Sequence, residues 1–212
     1  MKYISLLILI FISANTKGQE KANIGILSGG SYYLGDINTS KQFYKIRPLY
    51  GAIYRYNINK RYAIRSSFFK VRLAADDNDS KYKYQKDRNI SFVTNIYDFT
   101  IQCEFNFFPY ITTDVKKNKW TPYVLAGFTA FQAKEFDLAI PIGVGVKYNY
   151  NKRIGIGIEW VFKRAFHDDL DFADTFKSNK QISYVKNKDW YSLVGLFITY
   201  KFDTAIDCHA YD

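Results

Sequence analysis

The chain has 212 residues, with 30 Lys and Arg against 20 Asp and Glu, two cysteines and two histidines. One-domain length, with no Pro/Gly/Ser-rich linker, low-complexity tract or repeat of about 20–50 residues, argues against a multi-domain or solenoid protein. The formal charge of +10 is scattered along strands and loops. That pattern points to anionic lipid headgroups as the electrostatic partner and away from nucleic acid.

Lys2, the apolar run 4–12 and the residues Thr16, Lys17 and Gly18 ahead of Gln19 read as a secretory signal peptide over residues 1–18. The run is too short for a transmembrane helix, which needs about 20 residues. No later stretch reaches that length, and no cysteine sits at the cut to accept lipid. Beyond it, aromatic residues make up 19% of the chain, glycines interrupt the apolar runs, and no long 3.6-residue period appears. The fold class is therefore all-β.

Eight segments alternate with period two, each about the length a tilted strand needs to cross an outer membrane. The first, 22–34, sets Ile24 and Ile26 against a glycine-rich face. The second, 46–58, sets Tyr50, Ala52, Tyr54, Tyr56 and Ile58 against Arg47, Gly51, Arg55 and Asn57. Asn59 and Lys60 make a tight turn into the third, 61–73, where Tyr62, Ile64 and Phe68 oppose Arg65 and Ser67. The fourth, 90–107, ends with Phe99, Ile101, Cys103, Phe105 and Phe107 against Asp98, Thr100, Gln102, Glu104 and Asn106.

The fifth is 121–132. The sixth, 139–150, sets Ile140, Ile142, Val144, Val146, Tyr148 and Tyr150 against Gly143, Gly145, Lys147 and Asn149. After a turn at Asn151 and Lys152, the seventh, 153–163, alternates Ile154, Ile156, Ile158, Trp160 and Phe162 against Arg153, Gly155, Gly157, Glu159, Val161 and Lys163. The eighth, 190–202, closes on Ile198, Tyr200 and Phe202. A face of charges toward lipid costs roughly 2–4 kcal/mol per midplane Arg or Lys, so the charged faces are expected to point inward.

These segments predict an eight-stranded antiparallel transmembrane β-barrel, OmpA-like, over residues 19–203, with 204–212 as a tail. With the N-terminus taken as periplasmic, the long connections 35–45, 74–89 and 164–189, with the shorter 133–138, fall on one side. The tight turns fall on the other, as such barrels require. The exception is 109–119, which carries Lys116, Lys117 and Lys119 and is a candidate contact for a periplasmic partner or a plain solvated loop.

Candidate chemistry is sparse. Arg47, Arg55, Arg65 and Lys147 against Glu104 and Glu159 form the most distinctive constellation. In a barrel this narrow, with little more room than its side chains need, it is expected to be a salt-bridged plug; the alternative is a selective pore. His167, Asp168, Asp169 and Asp171 have no recognised metal-ligand spacing and read as a solvated loop. Asp76, Asp77, Asn78 and Asp79 lack the glycine and distal Glu of a calcium loop. Neither histidine stands beside a serine at a strand end, so no catalytic, cofactor or metal site is expected. Cys103, on an apolar face, and Cys208, in the tail, are expected to stay unpaired.

Several landmarks carry a resemblance. Tyr32, Tyr33, Leu34, Gly35, Asp36, Ile37 and Asn38; Tyr54 to Asn57; Glu104 to Phe108; Thr121, Pro122 and Tyr123; Pro141, Gly143, Gly145 and Lys147; and Arg164, Phe166, Asp168, Leu170 and Asp171 occur in this order over most of the chain. In these the chain resembles the PorG-like outer-membrane β-barrels of Bacteroidetes. The resemblance implies an accessory role in type IX secretion, linking periplasmic ring proteins to the outer membrane, although the family also holds members of unassigned role. The expected function is thus a non-enzymatic attachment or assembly element. The alternative is a passive structural or narrow-pore barrel contacting lipopolysaccharide and other outer-membrane lipid.

Overall fold

The computed structural model describes residues 22–35, 42–79, 91–110, 119–133, 136–166 and 190–202. They form β1 (Ala22–Leu34), β2 (Arg47–Asn57), β3 (Tyr62–Asp76), β4 (Ser91–Asn106), β5 (Trp120–Gln132), β6 (Phe136–Asn149), β7 (Ile154–Ala165) and β8 (Trp190–Phe202). Each strand pairs antiparallel with its neighbour in sequence, and β1 pairs with β8 from Ala22–Phe202 to Leu34–Trp190. Closure gives every strand a hydrogen-bonding neighbour on both sides over the barrel wall. No helix among the described residues is long and apolar enough to cross a membrane.

Alternation decides which side chains enter. Tyr50, Tyr54, Phe68, Tyr97, Phe99, Ile101, Val144, Ile158 and Ile198 stand exposed on the outer wall. Their in-chain neighbours Leu49, Arg55, Phe69, Asp98, Thr100, Glu159 and Phe197 are buried within. The inside has two zones. Toward the end where β1 begins, β8 ends and the short turns lie (the turn end) it is charged. Toward the opposite, loop end, Tyr33, Leu49, Leu73, Phe92, Ile96 and Leu193 pack as an apolar core. The expected salt-bridged plug thus fills only part of the barrel.

Three strands run two or three residues further than their sequence pattern indicated. β3 continues through Ala74 and Ala75 to Asp76, because β4 pairs with it up to Asp76–Ser91. β6 begins at Phe136, and β7 reaches Ala165, each held by its partner across the register. Arg153, expected on the inward face of the seventh strand, is instead exposed in the turn before β7. Asn151 caps that turn, its Oδ1 accepting from Arg153 N at 2.8 Å and Ile154 N at 2.6 Å.

The segment 42–46 straddles the loop-end rim. Phe43 and Lys45 take left-handed backbone, with φ of 59° and 44°, an unusual conformation for residues with side chains. These turns throw Phe43 outward, where its ring lies 5.2 Å from Tyr32 and 5.5 Å from Trp160. Beneath it Trp160 Nε1 donates to Tyr32 Oη at 3.1 Å and Ser192 Oγ at 2.8 Å. Tyr32 and Ser192 face outward by parity, yet they are 1% and 0% exposed. Below Phe43 an apolar groove of about 550 Å³ runs between Val124, Val144 and Val146 on one side and Ile158, Trp160 and Val194 on the other.

Two glycines make the charged zone possible. Gly145 pairs with Tyr123 and Gly157 with Phe197, and in each case the aromatic ring lies over the missing side chain. A Cβ at Gly145 would come within 2.6 Å of Tyr123 Cζ. Replacing Gly145 with Val is expected to displace Tyr123 and destabilise the barrel by about 1–3 kcal/mol. Urea unfolding in detergent micelles, followed by tryptophan fluorescence, measures this; an unchanged midpoint contradicts it.

Candidate functional site: a filled lumen and a basic rim

Arg55 on β2 and Arg65 on β3 are direct cross-strand partners, an arrangement that repels unless a counter-charge lies between. Glu104 of β4 supplies it. Its carboxylate accepts from Arg55 Nε at 2.8 Å and Nη2 at 3.2 Å, and from Lys147 Nζ at 2.5 Å. It also lies 3.2 Å from Arg65 Nη1. Arg65 forks onto Glu159 of β7 at 2.5 and 2.9 Å, and Tyr123 Oη donates to the same carboxylate at 2.7 Å. Gln102, with its amide oxygen turned toward Arg65, accepts from Nε and Nη2.

Three cations thus share two carboxylates, and aromatic faces take up the surplus positive charge. Lys147 Nζ sits 4.1 Å from the centroid of the Tyr123 ring, and the Arg55 guanidinium 5.3 Å from that of Phe197. A second cluster lies nearer the loop end. Lys163 Nζ donates to both oxygens of Asp98 at 2.7 Å and to Thr100 Oγ1 at 2.8 Å, while Tyr191 Oη donates to Asp98 at 2.8 Å. The charged side chains of both clusters are almost wholly buried.

At the turn end Tyr110 folds into the mouth of the barrel. Its backbone N donates to Lys60 O at 2.8 Å, and its ring lies 5.3 Å from Lys201 Nζ and 5.8 Å from Lys147 Nζ. Burial pushes the Tyr110 phenol up to about 12, so it stays protonated across the physiological range. This ring below, the ion-pair layers in the middle and the apolar core above place buried side chains at each level of the lumen that the described residues line.

Of the six residues expected in a lumen network, the structure brings together Arg55, Arg65, Glu104, Lys147 and Glu159. Arg47 stays apart: it is half-buried at the loop end of β2, and its guanidinium makes no ion pair among the described residues. Its cross-strand partner is Ser31, whose Oγ donates to Arg47 O at 3.2 Å, and the next inward residue of its strand is Leu49 of the apolar core. Asp98, Lys163 and Lys201 are inward charges that the expected network left out. The alternation of their own strands places all three on the inner face.

Lys119 stands exposed before β5; Lys116 and Lys117 lie outside the described residues, as do His167, Asp168, Asp169, Asp171 and Cys208. Cys103 is a free thiol on the outer wall. Asp76 and Asp79 hold Lys45 Nζ at 3.0 and 2.9 Å. Burial opposes the charge on Lys45, but its hydrogen bonds to the two carboxylates prevail and raise its pKa. Tyr44, buried beside them, is pushed up to about 12. Among the described residues no group of three or more His, Cys, Asp or Glu is placed to hold a metal ion.

The turn end has a second feature, legible only as a repeated string. Asn57-Ile58-Asn59-Lys60-Arg61 and Asn149-Tyr150-Asn151-Lys152-Arg153 share the pattern N-x-N-K-R. Both fold alike. Asn59 Oδ1 accepts from Arg61 N and Tyr62 N at 2.8 Å, as Asn151 does from its own turn, and Lys and Arg are left exposed in each. Because strand order follows sequence around a closed eight-strand barrel, the β2–β3 and β6–β7 turns lie on opposite sides of the rim. With Lys119 between them, the rim is basic, and no carboxylate among the described residues of that end is exposed.

The family described as "Domain of unknown function (DUF6089)" matches residues 1–211. Among solved structures, Neisserial surface protein A is similar with a TM-score of 0.52 and 10% identity, covering 88% of this chain and 100% of that one. The N-terminal β-barrel domain of Pseudomonas aeruginosa OprF gives 0.47 and 13%, covering 88% and 100%. Ail of Yersinia pestis, in complex with the heparin analogue sucrose octasulfate, gives 0.48 and 16%, covering 86% and 98%. At 10% identity the likeness to Neisserial surface protein A is one of fold, and the chain's own topology is a closed eight-stranded antiparallel barrel, OmpA-like. No curated protein matches the chain.

Glu104 makes a sharp prediction. Glu104→Gln strands Arg55 and Lys147 in the interior and is expected to cost about 3–5 kcal/mol. Glu159→Gln should cost less, because Arg65 keeps Glu104. Urea unfolding of both variants in the same detergent gives the ranking, and the reverse order contradicts the assignment of Glu104 as the shared counter-ion.

Proposed function

The chain belongs to the DUF6089 family, and we propose that it is a non-enzymatic outer-membrane barrel that attaches or assembles a periplasmic complex. The outer wall supports the membrane reading, since exposed aromatic and aliphatic side chains surround a closed barrel whose charges are turned inward. Residues 1–18 act as the cleaved export signal, and the turn end faces the periplasm. The filled lumen argues against conduction, so the working surfaces are the two ends and the wall.

The observation that carries the attachment role is the pair of N-x-N-K-R turns. Each turn is rigidly capped, and each presents a Lys and an Arg from opposite sides of one rim. Capping lowers the entropic cost of holding those charges ready for an acidic protein surface. Lys119, exposed before β5, adds to the same basic rim, and Lys116 and Lys117 precede it in the sequence. The resemblance to PorG-like barrels makes the periplasmic ring of a type IX-like secretion system the complex of first choice.

Cross-linking in the native envelope followed by mass spectrometry tests this. Links from Lys60, Lys119 and Lys152 to periplasmic proteins are expected, and the Arg61→Glu, Arg153→Glu double variant should lose most of them while keeping its heat-dependent shift on a detergent gel. If a heat-modifiable barrel yields no periplasmic links, it is a passive, lipid-contacting barrel. Identical migration of boiled and unboiled samples removes the barrel-in-membrane reading itself. A mature N-terminus at Gln19 is expected from intact mass.

A further inference from the structure

We propose that the outer wall at the loop end carries a binding site for the phosphorylated headgroup of an outer-leaflet lipid, built by Lys70 and Arg72 on β3. This rests on the membrane-spanning reading above and names a lipid partner for the wall. Both residues have outward parity, on a face that below them carries Ile64 and Phe68. Charge on this face is costly near the bilayer midplane and nearly free at the interface. Its position along the strand therefore decides what it means.

The register fixes that position. β2 pairs with β3 no further than Leu49–Val71, and β5 pairs with β4 no further than Tyr97–Gln132. Above these points β3 and β4 pair only with each other, up to Asp76–Ser91, and the hairpin rises past the paired rungs while Arg72 O, accepting from Ser31 Oγ at 2.7 Å, keeps it packed on β1. Lys70 is level with the last closed rung and Arg72 just above it. Tyr50 and Tyr97, exposed and paired on either side of Lys70, are the aromatic residues expected where hydrocarbon gives way to headgroups.

The two cations are also uncommitted. Neither makes an ion pair among the described residues, and Lys70 Nζ rests only over the Tyr97 ring at 5.9 Å. Two other cations of the same end are engaged, Lys45 by Asp76 and Asp79 and Arg164 against Trp190 at 5.7 Å, while Arg47, also without an ion pair among the described residues, is half-buried on the inward face. Asn95, exposed and paired with Arg72, adds an amide donor. Directly below, the Phe68 and Tyr97 rings stack at 6.3 Å, continued by Phe99 and Ile101. Phosphate donors above a continuous apolar wall suit an amphiphile better than a free anion.

Binding to the full barrel in detergent, read by native mass spectrometry, tests this with diphosphoryl lipid A, the same lipid stripped of phosphate, and inorganic phosphate. One diphosphoryl lipid per barrel is expected, with the Lys70→Gln, Arg72→Gln double variant about thirtyfold weaker. Should the double variant fail to fold, the comparison of phosphorylated with stripped lipid on the parent barrel reads the same claim. Equal binding of the two lipids, or full competition by inorganic phosphate, overturns it. A heat-modifiable barrel indifferent to lipid phosphate overturns the site alone, whereas a chain that never becomes heat-modifiable overturns the membrane reading and the site with it.

Discussion

The interior of this barrel depends on one carboxylate. Arg55 and Arg65 face each other across a strand pair, with Lys147 close by, and three buried cations in so narrow a space repel strongly where the dielectric is low. Glu104 touches all three. Glu159 then relieves Arg65, Tyr123 relieves Glu159, and the rings of Tyr123 and Phe197 cover what positive charge remains. Gly145 and Gly157 matter because those two rings need their space. Such a network is weak evidence of raw stability, since well-packed hydrocarbon serves as well or better. Its other effect is on register: sliding β3 or β4 by one residue turns its charges onto the outer wall.

The strands were legible because a barrel wall enforces a strict period of two, and Arg55, Arg65, Glu104, Lys147 and Glu159 stand out against apolar neighbours on that period. Legibility failed where the period stops meaning in and out. Arg153 continues the alternation of β7 on paper but belongs to a turn capped by Asn151. Arg47 has inward parity, yet it meets an apolar zone. That zone was hidden because Leu49, Val71, Ile96 and Leu193 are apolar on both readings, and composition does not tell a lipid-facing side chain from a core-facing one. Ala74 to Asp76 had no strand signal of their own; pairing with β4 extends β3 through them.

The two ends differ in how they hold charge. At the loop end Lys45 is locked between Asp76 and Asp79, and Tyr44 donates to Asp79 Oδ2 at 2.7 Å, so those charges organise the rim itself. At the turn end the Lys and Arg side chains of both N-x-N-K-R turns stand free of carboxylates among the described residues. The backbone there is ordered by asparagine caps, and although Arg61 Nη1 donates to Phe107 O at 3.0 Å, the charges of these cations are left without a counter-ion among the described residues. A single barrel thus carries a self-satisfied rim and an outward-looking one.

The strap at 42–46 bears on how the barrel comes apart. β1 and β8 are the strands furthest apart in sequence, so their seam carries the heaviest loop-closure entropy and joins late in folding. Trp160, Tyr32 and Ser192 bond β7, β8 and β1 together across that seam, and Phe43 lies over them. Contacts made after the rate-limiting step leave the folding rate almost untouched and slow the reverse reaction. In physical terms the strap is a latch on the last joint to close, and its contribution is to the lifetime of the folded barrel.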